Sequence, residues 1–252
     1  DVKRLEAWHY RRYFPKFAKK AAKIIAVSEY TRQDIVQQYG VSPDKIDIVY
    51  NACGPHFQPI SLAEQQATRD QFTNGKAYFH TVGAIQPRKN LVKLIAAFDQ
   101  FKEQSSSDQK LLIVGRKAWN FEKVIHSYAS SQHKDDIIFA GYVSDADLNR
   151  IYGASSGLCY VPYFEGFGIP ILEAMACDTP IITSKVTSMP EVAGDAAILV
   201  DPHKIEEIAK AMLRLHTSPD LASELIDKGK LRRQQFSWDQ SALQVWNTLT
   251  KR

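Results

Sequence analysis

The chain has 252 residues, 44% of them hydrophobic, enough to bury one large core or two modest ones. Its net charge of +4 is too small to argue for a nucleic-acid partner, and no zinc-finger, RRM-like or basic-aromatic repeat signature strengthens that case. No run approaches the roughly 20 apolar residues that span a bilayer, and the first residues lack signal-peptide or transit-peptide character. Cys53, Cys159 and Cys177 are widely spaced, without a CxxC or His-rich partner, and read as packing residues in a reducing compartment. A cytoplasmic location is the expectation.

In chain order, residues 2–23 come first, with Lys3, Arg4, Arg11, Arg12, Lys16, Lys19, Lys20 and Lys23 set among Trp8, Tyr10, Tyr13, Phe14 and Phe17. A basic aromatic helix of this kind suits the inner face of an anionic membrane, as a peripheral contact, and equally suits packing on its own sheet. A buried-strand pattern at 24–28 follows, with Ser28 placed to cap a helix over 29–39 that ends at Gly40, a C′ position. A second strand over 46–50 runs into the loop 51–59, which Gly54, Pro55 and Pro59 mark as an interdomain linker.

After a polar helix, strands expected at 78–82, 111–114, 136–140, 157–161, 180–183 and 197–200 alternate with helices, notably at 91–102, 121–131 and 145–152. This alternation argues for one doubly wound parallel α/β sheet, in which ligands bind beyond the carboxyl ends of the strands. Gly83, Gly115 and the turn at 165–168 lie at such ends. Three more helical stretches follow Asp201 and Pro202, the last at 238–248.

Glu165-Gly166-Phe167-Gly168-Ile169-Pro170-Ile171-Leu172-Glu173-Ala174-Met175 sets two carboxylates eight positions apart around a glycine turn that opens a helix. Gly166 and Gly168 permit positive φ and close backbone approach. Pro170 suits the first helical turn, and free N–H groups there can face an anion or a hydroxyl. The plain alternative is a connecting turn with a loop charge at Glu165 and a solvent-facing Glu173. Gly83-Ala84-Ile85-Gln86-Pro87-Arg88-Lys89-Asn90 lies between a strand and a helix, where Arg88 and Lys89 suit a diphosphate, or form a solvated basic loop. Arg116 and Lys117 read as secondary phosphate or base contacts or as exposed cations. Asp145 and Asp147 sit in the first turn of a helix, complementing its dipole rather than holding a metal. His80, inside a strand, reads as a packed histidine.

The 165–175 string resembles the E-x7-E motif of retaining, nucleotide-sugar-dependent glycosyltransferases of family 4, in its common setting E-G-F-G-x-P-x-L-E-A-M-A. Residues 83–90 resemble that family's G-x-x-x-x-R-K-N, and Phe236-Ser237-Trp238-Asp239 its entry into the last helix. The resemblance implies a GT-B fold: a complete C-terminal Rossmann-like doubly wound parallel sheet, preceded by a remnant of the N-terminal Rossmann-like domain. The implied limits are 1–58 for the acceptor-side remnant and linker, 59–235 for the nucleotide-sugar domain, and 236–252 for a helix crossing back. A fragment, or one chain of a split enzyme, is expected.

By the same resemblance, Arg88 and Lys89 hold the donor diphosphate and Glu165 faces the transferred sugar, the three forming the catalytic set. Glu173 takes the ribose. Gly83 and the main chain at Gly166, Phe167, Gly168 and Ile169 approach the donor, and the loop after the 136–140 strand, with Tyr142 and Val143, receives the base. No metal or other cofactor is required. Thr187-Ser188-Met189-Pro190-Glu191 resembles the family's S-x-L-P-E loop, with Glu191 alternatively capping the following turn. Ala176-Cys177-Asp178-Thr179-Pro180 departs from A-C-G-T-P, and Asp178 is expected in the left-handed conformation. Residues 114–119 and the Thr187 loop look similar to mannosyltransferases of bacterial surface-polysaccharide assembly. The expected reaction is hexose transfer, mannose first, from GDP-mannose or a UDP-hexose to a saccharide or lipid-linked acceptor. A donor-binding half inactive alone and a GT-B-fold nucleotide-sugar epimerase are the alternatives.

Overall fold

The structure is a computed structural model that describes residues 4–117 and 121–250; Lys3 and the parts of the segments read above that fall at 1–3, 118–119 and 251–252 lie outside the described residues. Helix α1 (Arg4–Lys20) leads to β1 (Ile24–Ala26), α2 (Glu29–Tyr39) and β2 (Ile46–Ile48). The two strands pair in parallel, Ile24 beside Ile46 and Ala26 beside Ile48. Each ends two residues before the limit read from the sequence. Ser28 leaves the strand to cap α2, its Oγ accepting the Thr31 N–H at 3.0 Å, and Tyr50 turns into the linker. Gly40 closes α2 at φ 62°, donating its N–H to Val36 O at 2.9 Å.

Helix α3 (Leu62–Thr73) opens on a capping box between Ser61 and Glu64. The chain then winds through β3 (Tyr78–Val82), α4 (Leu91–Ser105), β4 (Lys110–Val114), α5 (Glu122–Ser130), β5 (Ile137–Gly141), α6 (Asp145–Ala154), β6 (Gly157–Tyr160), α7 (Ile169–Ala176), β7 (Ile181–Ser184), α8 (Met189–Ala193) and β8 (Ile198–Val200). The strands form a six-stranded parallel sheet in the order β5-β4-β3-β6-β7-β8. Side chains alternate along each strand, which builds two cores. Phe79, Leu111, Ile113 and Cys159 pack with Leu94, Phe98 and Phe101 of α4 and with Ile208 and Met212 of α9 (Ile205–Thr217). On the opposite face Tyr160, Leu158 and Ile181 pack with Tyr152, Leu172 and Met175, and Tyr78 and Leu112 with Ile151. Helix α8 was not legible beyond a turn, being five residues long.

The linker is fastened rather than loose. Phe57 is buried and meets Tyr152 edge to face at 5.7 Å, and the Gln58 N–H donates to Asn149 Oδ1 at 2.8 Å. After α10 (Pro219–Arg232), helix α11 (Trp238–Thr250) returns to the first sheet. There Ser241 Oγ donates to Tyr50 O at 2.5 Å, and Thr248 Oγ1 to Asp47 Oδ2 at 2.9 Å.

Candidate functional site

The winding reverses between β3 and β6, so the crevice at their carboxyl ends is the topological switch point of the sheet. Two loops border it, 83–90 after β3 and 161–168 after β6. Gly83, Gly115 and Gly141, at the ends of three adjacent strands, adopt φ of 130°, 146° and 70°. At one of them space demands glycine, and at another a Cβ would crowd a side chain. A Cβ on Gly115 would stand 2.0 Å from the Gly83 carbonyl oxygen, and one on Gly83 would stand 3.1 Å from Lys89 Cε.

Arg88 and Lys89 occupy a 3₁₀ turn (Pro87–Lys89) closed by Asn90 at φ 62°. The buried Asn90 amide donates to Val161 O at 3.0 Å and to Pro202 O at 2.8 Å, tying the basic loop to chain leaving β6 and β8. Arg88 Nη1 donates to Glu165 Oε1, and Lys89 Nζ reaches the same oxygen at 2.7 Å. Lys89 Nζ also donates to the Tyr160 hydroxyl at 2.7 Å. One carboxylate thus faces two cations, at a place where Lys89 and Glu165 are each 13% exposed and Arg88 35%. Burial pushes Lys89 below the ordinary lysine value, and the Glu165 carboxylate opposes that fall.

The loop that carries Glu165 is held through its main chain. The Gly166 carbonyl accepts from Ser28 Oγ at 2.6 Å and Thr31 Oγ1 at 3.0 Å, while Ser188 Oγ lies 2.9 Å from Glu165 O and 3.1 Å from Phe167 O. The Phe167 ring is buried against Tyr50 and Phe236, centroids 6.1 and 5.8 Å apart, so only its main chain is placed to meet a ligand. Gly168 at φ 100° turns the chain into α7, whose first turn carries Pro170, without an N–H, and the Ile171 N–H, which donates to Gly168 O at 3.0 Å. One turn further, Glu173 is largely buried and not solvent-facing. Tyr152 Oη donates to its Oε2 at 2.7 Å, and burial pushes the carboxyl above the usual range while that hydrogen bond opposes the shift.

The remaining candidates fall apart from this cluster. Tyr142, 80% exposed, and Val143, packed near Leu112 and Val114, follow β5, beyond Gly115. Arg116 and Lys117 are exposed, Lys117 Nζ lying over the Phe121 ring at 5.0 Å. The Asp147 carboxylate is taken by Arg150 and, at 2.9 Å, by the capping Ser144 Oγ. His80 is buried with Nδ1 3.0 Å from Ser155 Oγ, and burial lowers its pKa to about 3: a packed, neutral imidazole. Asp178 adopts φ 52°, the expected left-handed conformation. Glu191 does not cap its own turn. Its carboxylate accepts the Glu29 and Tyr30 N–H groups at 2.7 and 3.1 Å, capping α2 instead. Sequence reading placed Asn90 in the basic motif without a role and missed Tyr160 and Tyr152 as contributors to the site. Each tyrosine sits in an apolar pattern that hides its hydroxyl, and the only signal is its place near a strand or helix terminus facing the crevice.

The fold is GT-B, with a six-stranded parallel sheet and a small two-stranded sheet beside it. The chain belongs to the family described as glycosyl transferases group 1, whose pattern matches residues 64–232, and residues 2–55 match that of Glycosyltransferase Family 4. Over 90% of its length it is 30% identical to O-antigen chain mannosyltransferase B of Escherichia coli, covering 60% of that protein. Over 85% it is 29% identical to O-antigen chain mannosyltransferase RfbU of Salmonella typhimurium, covering 57%. The chain thus spans about 60% of the length of these relatives. Among solved structures, Anabaena HepE in complex with UDP and glucose superimposes with a TM-score of 0.86 at 18% identity, over 97% of this chain and 67% of that one.

Proposed function

We propose that this chain forms the donor side of a retaining glycosyltransferase that moves a hexose, mannose first, from a nucleotide-diphosphate sugar to a saccharide or lipid-linked acceptor. The observation that carries the reading is the convergence of Arg88, Lys89 and Glu165 at the switch point, in a crevice whose strand ends are cleared by Gly83 and Gly115. In this reading the donor diphosphate displaces Glu165 from the two cations. Arg88 binds its oxygens through a planar fork and Lys89 as a point charge, and the released carboxylate turns to the transferred sugar. Glu173 accepts from the ribose hydroxyls, and main-chain N–H groups at 167–169 meet sugar and phosphate. As the glycosidic bond breaks, charge develops on the diphosphate oxygen. Fixed cations in a poorly hydrated crevice stabilise it without reorganising, and that oxygen takes the proton of the acceptor hydroxyl attacking from the same face. The names of the two O-antigen relatives favour GDP-mannose, while the UDP and glucose of the Anabaena structure keep a UDP-hexose in view.

Calorimetry and thermal shift with GDP-, UDP- and ADP-sugars test the proposal. One nucleotide series should bind and stabilise the chain, and Arg88→Ala should weaken both the donor and the free nucleoside diphosphate by about tenfold or more. Absence of binding across all three series, or unchanged affinity in Arg88→Ala, overturns it. A second reading, raised by the sequence, is donor binding without transfer. Turnover by this chain alone would exclude that.

A further inference from the structure

The Lys89 ammonium has two protein partners, and only one of them is asked to leave when a donor arrives. Glu165 Oε1 lies 2.7 Å from Nζ, and so does the Tyr160 hydroxyl. Tyr160 is the last residue of β6, 2% exposed, with its ring in the core that holds Leu158, Phe167 and Leu172. Its backbone carbonyl accepts from Thr183 Oγ1 of β7 at 2.7 Å, so strand and side chain are both fixed. Gly83 clears the path of the Lys89 stem on the other side, where even a methyl group would press against Cε. The lysine is therefore confined between a glycine and a tyrosine hydroxyl that belongs to the rigid sheet, whereas Glu165 belongs to a loop.

We infer that Tyr160 is a positioning residue: its hydroxyl holds the Lys89 ammonium at the crevice when Glu165 is drawn away to the donor. This rests on the phosphate-binding reading of Lys89. Without Tyr160, the departure of Glu165 would leave a largely buried ammonium with no hydrogen-bond acceptor among the described residues, in surroundings that already disfavour its charge. The charged groups acting on Lys89 are Glu165 and Arg88 from the bordering loops and Glu173 from α7; Tyr160 stays neutral because burial, the charge of Glu165 and a hydrogen bond to that carboxylate push its phenol far above the usual range. An uncharged acceptor adds hold on the lysine without competing for phosphate, as a second carboxylate would.

The sign of the pH effect follows. Anion binding uses the ammonium form, so it weakens as pH rises through the Lys89 pKa. Removing a hydrogen-bond acceptor destabilises the ammonium and brings that decline to lower pH. The experiment is calorimetric titration of the chain with GDP and UDP, and with inorganic pyrophosphate, from pH 7 to pH 10. The variants are Tyr160→Phe, Lys89→Ala and the double variant. Tyr160→Phe should bind about three- to tenfold more weakly near neutral pH and lose affinity about one pH unit earlier than the parent chain. In a Lys89→Ala background the same change should have almost no further effect, because the hydroxyl acts through the lysine. Equal affinity and pH dependence in Tyr160→Phe, or losses that simply add in the double variant, overturn the role of Tyr160 while leaving the phosphate site standing. If the parent chain binds none of the three probes, the phosphate reading falls and this inference with it. Melting temperatures of the variants separate a binding loss from unfolding.

Discussion

Glu173 shows what a single residue in this crevice costs the fold. Its carboxyl is largely buried with Tyr152 Oη at 2.7 Å, and burial raises its pKa above the ordinary 4.5. A raised carboxyl pKa means that the folded state holds the proton more tightly than the unfolded chain. The favourable contribution is complete below about pH 4.5 and is lost as pH rises through the folded value, so ionised Glu173 weakens the fold at neutral pH. Glu173→Gln keeps the shape and an acceptor for Tyr152 but removes the charge. It should raise the melting temperature by a few degrees at pH 7, with the gain shrinking as pH falls through the raised folded value and gone below about pH 4.5, and should bind nucleoside diphosphates more weakly. Thermal denaturation at several pH values checks this, and a gain independent of pH would sink it. At this scale the sequence singled out Arg88, Lys89, Glu165 and Glu173, through the glycine and proline turns that carry them and the motifs they resemble. It could not show that Glu165 meets Arg88 and Lys89 across 77 and 76 positions of chain, nor that Tyr152 and Tyr160 supply hydroxyls. Those facts depend on which strand lies beside which.

Among the elements, legibility followed local chemistry. Helix α2 was read with both caps in place because Ser28 and Gly40 bracket it, and β3 at its full extent because the loop glycine after Val82 ends it. The short strands β1 and β2 were read long, since an apolar run does not announce where a residue leaves the ladder to cap a helix. The glycines at the strand ends yield a comparative prediction. Ala at Gly115 must adopt φ 146° and drive its Cβ to 2.0 Å from the Gly83 carbonyl, so backbone has to move and the 83–90 loop with it. Ala at Gly141, at φ 70°, meets nothing within 4 Å and bears only backbone strain. Gly141→Ala should cost about 1–2 kcal/mol, and Gly115→Ala about 3 kcal/mol or more, with loss of nucleotide binding. Urea denaturation of both variants is the measurement. Equal losses would show that the approach of the two loops is not tight.

At the scale of the whole molecule, the two sheets are joined through the loops of the crevice as well as through the linker and α11. Glu191, at the start of α8, accepts the first two N–H groups of α2 at 2.7 and 3.1 Å, and the Tyr50 hydroxyl also bonds to it. Arg232 donates to the carbonyls of Glu191, and of Val192 at 3.2 Å, holding α8 from behind. Ser28 and Thr31 at the same end of α2 carry the Gly166 carbonyl. The N-terminus of one helix therefore anchors both loops that follow β6 and β7, and a movement of the small sheet against the large one is expected to reach Glu165. Removing the carboxylate leaves helix-terminal N–H groups without their acceptor, so Glu191→Ala should lower stability by about 1–3 kcal/mol. The informative readout is where the structure loosens. Hydrogen exchange should quicken at 28–32 and 165–168, with β3 and β4 unchanged, and Glu191→Gln, which keeps an acceptor oxygen, should recover part of the loss. Uniform quickening across the six-stranded sheet would mean that Glu191 supports the fold in general, and that α2 and the Glu165 loop are not specifically coupled.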